Sequence, residues 1–343
     1  MKRQSAVILH NQVGPDSPKD ELDVLVQAES IGRSLAELHY RVRVVPFSLH
    51  VARALAALRR AAPLFVFNLV ESVAGDGRLI HLAPALLDHL GLPYTGCGQE
   101  AMFTTSNKVL AKRILRQAGL PTPEWLEAAP SSEGQEEVLP PGTYLLKSVW
   151  EHASNWFAGD SVVQADGAGG LRQALARKDG GGRGFFAERY VEGREFNLSL
   201  LAGACLPAAE MRFVDYPPGK LRVVDFRAKW EEDSFEYAHT LRGFDFAAAD
   251  SPLLDELRRL ACRCWRAFDL SGYARVDFRV DAQGRPWVLE INANPCLAPD
   301  GGFVAAAARA GLTYTQMVER IAADCLSRRA AAPAAPGGEH EGT

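Results

Sequence analysis

Four polar side chains stand at a regular spacing within residues 272–295. Arg275 and Asp277 are separated by one residue, and so are Glu290 and Asn292. Side chains at positions i and i+2 of a β-strand point to the same face, so each pair would share a face if both segments are strands. Two carboxylates and an amide oxygen, without His or Cys, suit a hard cation such as Mg²⁺. The adjacent arginine could stabilise a phosphoryl group during transfer.

A β-hairpin is the structure that this segment predicts. Residues 274–280 alternate, residues 287–291 are apolar and β-prone, and residues 281–284, DAQG, supply the turn. The alternative interpretation is a surface hairpin whose polar residues are simply solvated. Carboxylates in an otherwise apolar run favour the metal site, because a buried carboxylate needs partners.

Composition indicates an ordinary globular protein. A chain of 343 residues is expected to form two or three domains. Its hydrophobic content of 47% and charged content of 23% are those of an ordinary globular protein. The net charge of −4 without a basic run gives no indication of nucleic-acid binding. No apolar stretch is long enough to span a membrane, and the short apolar run after Lys2-Arg3 predicts a first strand rather than a signal segment. The six cysteines are scattered and predict reduced thiols in a cytoplasmic protein.

Strands and helices alternate in the first third of the chain. Such βαβ alternation implies an open parallel sheet with helices on both faces. The predicted strands are residues 5–10, 42–47 and 64–69, and the predicted helices are residues 20–38, 49–60 and 79–90.

The rest of the chain predicts mixed helices and strands that end in a low-complexity tail. No internal repeat is evident. Loops are predicted at 130–142 and 179–184, and the segment from residue 330 onward predicts disorder. The predicted helices are residues 108–118, 168–177, 253–268 and 313–325, and the predicted strands are residues 144–148, 185–191 and 195–201.

Three further signals point to phosphate or nucleotide binding, although each has an ordinary alternative. Lys147 ends an apolar strand, where a lysine could hold a phosphate or simply extend into solvent. Backbone groups at the polar break within residues 185–196 could bind an adenine edge and Glu195 ribose hydroxyls, or this could be a plain turn with exposed acids. Lys229 lies between apolar neighbours and is a weak signal alone.

In their order and spacing these motifs resemble the ATP-grasp ligases, specifically the D-alanine–D-alanine ligase family, over about residues 60–326. The strongest matches are residues 91–96 (GLPYTG), 107–112 (NKVLAK), 275–277 (RVD) and 290–292 (EIN). The resemblance implies α/β and α+β architecture: the ATP-grasp fold preceded by an open parallel-sheet domain. The implied divisions are 1–104 for the first domain, 105–187 and 188–328 for the small and large ATP-grasp subdomains, and 329–343 for a disordered tail.

The resemblance also assigns roles to residues of this chain. Arg275 would stabilise the transferred phosphoryl group and the later tetrahedral intermediate, and Lys229 is similar to the family's phosphate-binding lysine. Two Mg²⁺ ions, with Mn²⁺ as the alternative, would be held by Asp277, Glu290 and Asn292. The implied ATP contacts are Lys108, Lys147 and Ser154 for phosphates, Glu188, Arg189, Tyr190 and Val191 for adenine, and Glu195 for ribose.

The implied reaction has two steps. A carboxylate, taken to be an amino acid, attacks the γ-phosphoryl group of ATP to give an acyl phosphate, and an amine then displaces phosphate to form an amide. Cations neutralise charge on the phosphoryl oxygens, and a closed site excludes water. The partners are small-molecule carboxylate and amine substrates, and the resemblance alone implies a homodimer.

The chain departs from the family where the substrates would bind. Ala153 replaces an expected serine beside Ser154, and Trp230 replaces the tyrosine that follows the phosphate lysine. The His-Gly motif expected before Asp76-Gly77 is absent, and residues 68–72 read NLVES. Gly301 replaces the serine expected to bind the second substrate's carboxylate. For the first substrate's amine, the candidate acids are Asp20, Glu21 and Asp23.

These departures predict that the reaction type is retained and that the substrate differs from D-alanine. A site without hydroxyl donors should bind that carboxylate weakly. The open alternatives are true D-alanyl-D-alanine synthesis, an ATP-binding module without ligation, an enzyme that releases a phosphorylated product, and a catalytic thiol at Cys296. Substrate identity and stereochemistry stay open.

Overall fold

A computed structural model describes residues 4–128, 139–150, 161–178 and 184–331. Ser154 and most of the predicted 130–142 and 179–184 loops lie outside the described residues, as does the chain beyond residue 331. The strands are β1 (Ser5–Asn11), β2 (Arg41–Phe47), β3 (Phe65–Leu69), β4 (Trp125–Glu127), β5 (Gly142–Ser148), β6 (Val162–Ala165), β7 (Phe185–Arg189), β8 (Arg194–Leu201), β9 (Ala204–Cys205), β10 (Ala209–Phe213), β11 (Thr240–Gly243), β12 (Tyr273–Val280) and β13 (Pro286–Asn292). The helices are α1 (Lys19–Glu37), α2 (Val51–Ala61), α3 (Leu82–His89), α4 (Gln99–Ser106), α5 (Lys108–Gln117), α6 (Ala168–Lys178), α7 (Phe226–Trp230), α8 (Phe235–His239), α9 (Ser251–Ala267), α10 (Gly302–Arg309) and α11 (Tyr314–Ala331).

The predicted parallel sheet at the start of the chain is confirmed, with strand order β2-β1-β3. Its central strand carries the apolar run of residues 6–9 because both faces are covered. Ile8 packs on the side of α1 and α11, whereas Val7 and Leu9 pack on the side of α2 and α3. The last helix of the chain therefore completes the core of the first sheet, which local sequence patterns do not reveal.

Two antiparallel sheets form the rest of the molecule. The larger has the order β11-β10-β8-β12-β13, with β9 also on β8, and the smaller has the order β4-β7-β5-β6. The apolar face of the larger sheet packs against α4, α5 and α9, and the smaller sheet packs against α6. The division at 105–187 and 188–328 remains a prediction, and α5 packs with the larger sheet although it precedes the smaller one in sequence.

Several elements differ from their predictions. The predicted helix at 79–90 is a 3₁₀ turn at Gly77–Leu79 followed by α3, with Pro84 in the first turn of α3, where its missing N–H costs no hydrogen bond. The strand predicted to reach residue 191 ends at Arg189, and α11 continues to Ala331 past the predicted end at residue 325. The short elements β4, β6, β9, β10, β11, α4, α7, α8 and α10 were not predicted.

The predicted hairpin is confirmed as β12 and β13. Its turn is closed by the Gly284 amide, which donates to the Asp281 carbonyl at 2.9 Å. In the register of the pair, Asp277 lies opposite Glu290 and Arg275 opposite Asn292. The two polar pairs therefore share one face of the larger sheet, and that face is turned away from the core formed with α9.

Candidate active site

A cavity of about 580 Å³ lies between the two antiparallel sheets. The smaller sheet contributes residues of β5 and β7, and the larger contributes residues of β8, β10, β11, β12 and β13. Helix α7 and the loop before α10 complete the wall. This volume is in the range of small-molecule sites. The candidate residues that line it are Lys108, Lys147, Glu188, Arg189, Tyr190, Val191, Glu195, Lys229, Arg275, Asp277 and Glu290.

Arg275 and Asp277 form a two-point ion pair in the cavity. Nε and Nη2 of Arg275 donate to Oδ1 and Oδ2 of Asp277 at 2.7 and 2.8 Å. Asn197 on the neighbouring strand β8 also donates to Oδ1, at 2.8 Å. Burial acts to lower the pKa of Arg275, but the Asp277 carboxylate outweighs it and raises that pKa. Arg275 therefore stays fully charged and is held in one orientation.

Glu290 and Asn292 occupy the other strand of the hairpin. Glu290 Oε1 lies 3.3 Å from Nζ of Lys108, the first residue of α5. Asn292 turns its Oδ1 to the Asn294 backbone amide, which donates at 2.9 Å. Asn292 is not among the residues that line the cavity. Its amide oxygen is therefore held by the Asn294 backbone amide and does not face the cavity beside Asp277 and Glu290.

The fit of this hairpin to a hard cation depends on the type of its donor atoms. Asp277 and Glu290 face each other across neighbouring strands and present only oxygen atoms. Such a set matches Mg²⁺, which takes one or two carboxylates from a protein and completes its shell with water and phosphate. Among the described residues, no cluster of three or more His, Cys, Asp or Glu residues could hold a metal. The site therefore suits a cation shared with a phosphate ligand rather than a cage of protein ligands alone.

Glu188 on β7 joins two lysines from different elements. Its Oε1 lies 2.7 Å from Nζ of Lys112 on α5, and its Oε2 pairs with Lys147 on β5. The Lys112 ammonium also donates to the Thr122 hydroxyl at 2.7 Å and to the Pro123 carbonyl at 3.0 Å. Burial alone would raise the pKa of Glu188, but the two lysines hold it below its ordinary value. Sequence reasoning assigned no role to Lys112, although this residue ends the family-like segment at 107–112.

Removing Glu188 should destabilise the fold. The side chain of Lys112 is 2% exposed, so Glu188→Ala leaves a buried ammonium without its carboxylate and should lower the free energy of unfolding by about 3 kcal/mol. Urea denaturation at neutral pH measures this. The double variant Glu188→Ala/Lys112→Met should lose less than the sum of the single variants. Because the folded pKa of Glu188 is depressed, its contribution in the wild type should disappear as the pH falls below the ordinary glutamate range.

The segment after β7 lies along one wall of the cavity. The backbone amides of Arg189 and Tyr190 donate to the carbonyls of Glu124 and Thr143 at 2.9 and 2.8 Å, which fixes the chain where the strand ends. Gly193 follows with a φ of +148°, and a Cβ there would lie 1.9 Å from the Val280 carbonyl oxygen. Only glycine allows β12 to approach this closely.

Glu195 at the start of β8 is held by Arg279, which lies on the same face of β12 as Arg275 and Asp277. The Arg279 Nη2 atom is 2.9 Å from the Glu195 carboxylate, and the two side chains are 3% and 10% exposed. Burial raises the pKa of Glu195, and Arg279 opposes this shift. Sequence reasoning missed Arg279, although the i, i+2 alternation that selected the other two residues also includes it.

Lys229 reaches the cavity from the short helix α7. Asp225 caps this helix, because its Oδ1 accepts from the Ala228 amide at 2.9 Å. Burial lowers the pKa of Lys229, as does the positive charge of Arg275, while Glu290 and other acids oppose the shift. Lys229 and Arg275 thus place two cations on the wall of the same cavity.

The cavity is also lined by Asp23, Cys296, Arg242 and Gly301. Of the three candidate acids near the N-terminus, Asp23 lines it. The Cys296 thiol donates to Asp23 Oδ2 at 3.1 Å, and Gln27 donates to the same oxygen at 3.0 Å. Burial raises the pKa of Cys296 well above its usual value, which keeps the thiol protonated and disfavours a nucleophilic role.

The two remaining sequence predictions concern the cysteines and the membrane. All six cysteines are free in the structure. None of the described helices combines the length and the apolar character that crossing a bilayer requires.

Comparison with known proteins gives one consistent family. Residues 162–323 match the family model described as the D-ala D-ala ligase C-terminus. The chain is 33% identical over 317 residues to a D-alanine–D-alanine ligase of Synechococcus sp. (strain JA-3-3Ab), a match that covers 92% of each chain. It is 35% identical over 274 residues to the corresponding ligase of Chromohalobacter salexigens, covering 78% of this chain and 79% of the relative.

Solved structures share the fold. A D-alanine–D-alanine ligase from Bacillus anthracis superposes with a TM-score of 0.71 at 19% identity, covering 96% of this chain and 99% of that one. The same enzyme complexed with ATP gives a TM-score of 0.70 at 19% identity and the same coverage. The predicted ATP-grasp architecture is thereby confirmed.

Proposed function

The chain belongs to the D-alanine–D-alanine ligase family and is an ATP-dependent carboxylate–amine ligase, and we propose that it joins an amino acid other than D-alanine to an amine through an acyl phosphate. The cavity between the two antiparallel sheets carries this proposal. It brings Lys108, Lys147, Lys229 and Arg275 together with the carboxylates of Asp277 and Glu290. A surface of this composition suits the transfer of a phosphoryl group.

The cations would act on the phosphates of ATP. Lys108 and Lys147 would hold phosphate oxygens as point charges, and Lys229 with Arg275 would neutralise the charge that develops on the transferred group. Arg275 is already oriented by its two hydrogen bonds to Asp277, so little reorganisation is needed at the moment of reaction. The hinge at Glu188–Val191 and the acid Glu195 would take adenine and ribose.

The acidic hairpin would hold Mg²⁺ together with the ATP phosphates. Asp277 and Glu290 supply oxygen ligands and Asn292 is the third candidate, in keeping with the preference of this ion. When bound, the metal would supply charge neutralisation at the phosphoryl oxygens. Arg275 and Lys229 would do the same from the protein side.

Asp23 would bind the ammonium group of the donor amino acid. It is the N-terminal candidate acid that faces the cavity, and Gln27 and Cys296 orient its carboxylate. Once the donor carboxylate is phosphorylated, the amine of the second substrate attacks the acyl carbon, the C–N bond forms and phosphate leaves. The departures from the family pattern around Cys296 and Gly301 favour substrates other than D-alanine.

The decisive experiment is ADP release from Mg·ATP with D- and L-amino acids, singly and in pairs, and mass spectrometry of the products. An amide formed from a pair other than D-alanine with itself is the expected result. Exclusive formation of D-alanyl-D-alanine would contradict the proposed substrate and indicate the substrate named for the relatives. A phosphorylated acid as the only final product, or no turnover with ATP still bound, would contradict ligation.

Replacing the candidate ribose ligand should weaken nucleotide binding. Glu195→Ala should raise the KM for ATP about tenfold and leave kcat within about threefold of wild type, because ribose contacts bind ground and transition states alike. Steady-state ADP release at varied ATP measures this. Glu231→Ala, on an exposed residue paired with Arg227, is the control. An unchanged KM for ATP in Glu195→Ala would mean that the ribose is bound elsewhere.

A further inference from the structure

Arg242 is a cation of the cavity wall to which neither the family motifs nor the phosphate chemistry gives a role. It lies on β11 at the edge of the larger sheet, and its side chain is solvent-accessible and lines the cavity. Asp300, Gly301 and Gly302 also line the cavity, and the Arg242 guanidinium lies against the Asp300 carbonyl and Gly302. Arg242 is therefore beside Gly301, the position at which the family resemblance expects a serine for the second substrate.

Within the described part of the chain, Arg242 is not neutralised by an ion pair. Its Nη1 donates to the Asp300 backbone carbonyl at 3.3 Å. The Asp300 carboxylate lies near enough to raise the pKa of Arg242, but loss of water and the charge of Arg275 outweigh it and lower that pKa. Arg242 and Arg275 therefore line one cavity with like charges that repel each other, and a bound anion would relieve the repulsion.

The loop beside Arg242 excludes a side chain at position 301. A Cβ on Gly301 would lie 2.9 Å from the Ala298 carbonyl oxygen and 3.2 Å from that of Cys296. A serine could not be placed there without moving the backbone, so the hydroxyl expected at this position is sterically excluded as well as absent. A Cβ on Gly302 would touch the Arg242 guanidinium at 3.6 Å, so the absence of a side chain also keeps the space over Arg242 open.

We propose that Arg242 selects the second substrate by binding its carboxylate, in place of the serine that the family pattern expects at position 301. An arginine can bind a carboxylate through two parallel hydrogen bonds, which a hydroxyl cannot. This inference rests on the proposed ligation and assigns recognition of its second substrate to Arg242. Arg242 would determine specificity, whereas Arg275 and Lys229 act on the phosphoryl group.

The test compares amino acids with their carboxamides as acceptors. The donor is the amino acid identified by the product survey, and kcat/KM is measured for each acid and its amide. Wild type should prefer the acid, and Arg242→Ala should lower kcat/KM for the acid about 10- to 100-fold while leaving that for the amide within about threefold. Arg242→Lys should fall between, because lysine keeps the charge and loses the planar fork.

Arg258→Ala is the matched control, since Arg258 pairs with Asp255 on the exposed side of α9 and should leave both values unchanged. An equal loss for acid and amide in Arg242→Ala, or equal use of the two by wild type, would overturn the proposal. If no pair yields ADP, the proposed ligation itself fails. In that case the same acids and amides are titrated calorimetrically into the protein with Mg·ADP. Tighter binding of an acid than of its amide by wild type, with this preference lost in Arg242→Ala, supports the role of Arg242. Equal binding of acid and amide, or no detectable binding, contradicts it.

Discussion

Asp277→Asn and Glu290→Gln should each lower kcat for ATP turnover by about 10³-fold or more, equivalent to about 4 kcal/mol of transition-state stabilisation. Both replacements keep the size of the side chain and remove its negative charge. Asp277 and Glu290 lie directly opposite each other on β12 and β13, so each contributes half of the anionic surface that would hold Mg²⁺ with the ATP phosphates. A neutral amide oxygen is a much weaker ligand for a hard cation.

Single-turnover ADP release at saturating Mg·ATP measures the effect on the chemical step. Glu256→Gln is the control, because Glu256 pairs with Arg259 at the surface of α9 and should retain wild-type activity. Raising Mg²⁺ should restore part of the activity of both hairpin variants if their defect is weak metal binding. Near-normal turnover in both variants would contradict the assignment of Asp277 and Glu290 as Mg²⁺ ligands, provided that thermal unfolding shows both variants to be folded.

Arg275→Ala should lower kcat by about 10³-fold, the second of the two largest effects. An arginine placed on a transferring phosphoryl group is worth about 10³ or more in rate. Arg275 is held by Nε and Nη2 on Asp277, and the neighbouring acids keep it charged despite its burial. Arg275→Lys should recover only a small part of the loss, because a lysine cannot reproduce the two-point pairing that sets the orientation.

Arg285→Ala is the matched control for Arg275→Ala. It removes an arginine from the same hairpin, but at the exposed turn, where Arg285 pairs with Asp281. We expect wild-type kcat for this variant. A variant Arg275→Ala that loses affinity for ATP but keeps kcat would show that the residue binds the ground state only, and would remove it from the catalytic step.

The pairing of acids and bases in the cavity is a feature of the whole site. Arg275 pairs with Asp277 along β12, and Arg279 of β12 pairs with Glu195 of the neighbouring β8. Lys112 and Lys147 reach Glu188 from α5 and β5. Each pair satisfies a charge that burial would otherwise penalise. The cavity can therefore keep many charged groups in fixed orientations beside an apolar core.

Sequence alone determined the alternation of the acidic hairpin but not its full register. The alternation of β12 places Arg275 and Asp277 on one face, and the turn after Val280 sets the pairing as far as Phe278 with Val288. An irregularity between Asp277 and Phe278 then shifts the register by one residue, and this shift brings Asp277 opposite Glu290 and Arg275 opposite Asn292. The period of two and the turn chemistry are local properties, so they can be read without knowing the rest of the fold. The helix–strand alternation of the first domain was predictable for the same reason.

Tertiary structure decided which remote groups complete the site. The sequence marks Glu188, Glu195 and Arg242 as polar, but it does not show that they meet Lys112, Arg279 and the Asp300 carbonyl. It also leaves Asp20, Glu21 and Asp23 equivalent, whereas the packing of α1 turns Asp23 toward the cavity. Periodicity reports the face on which a side chain lies, but the element that covers that face is selected by long-range packing of the whole chain.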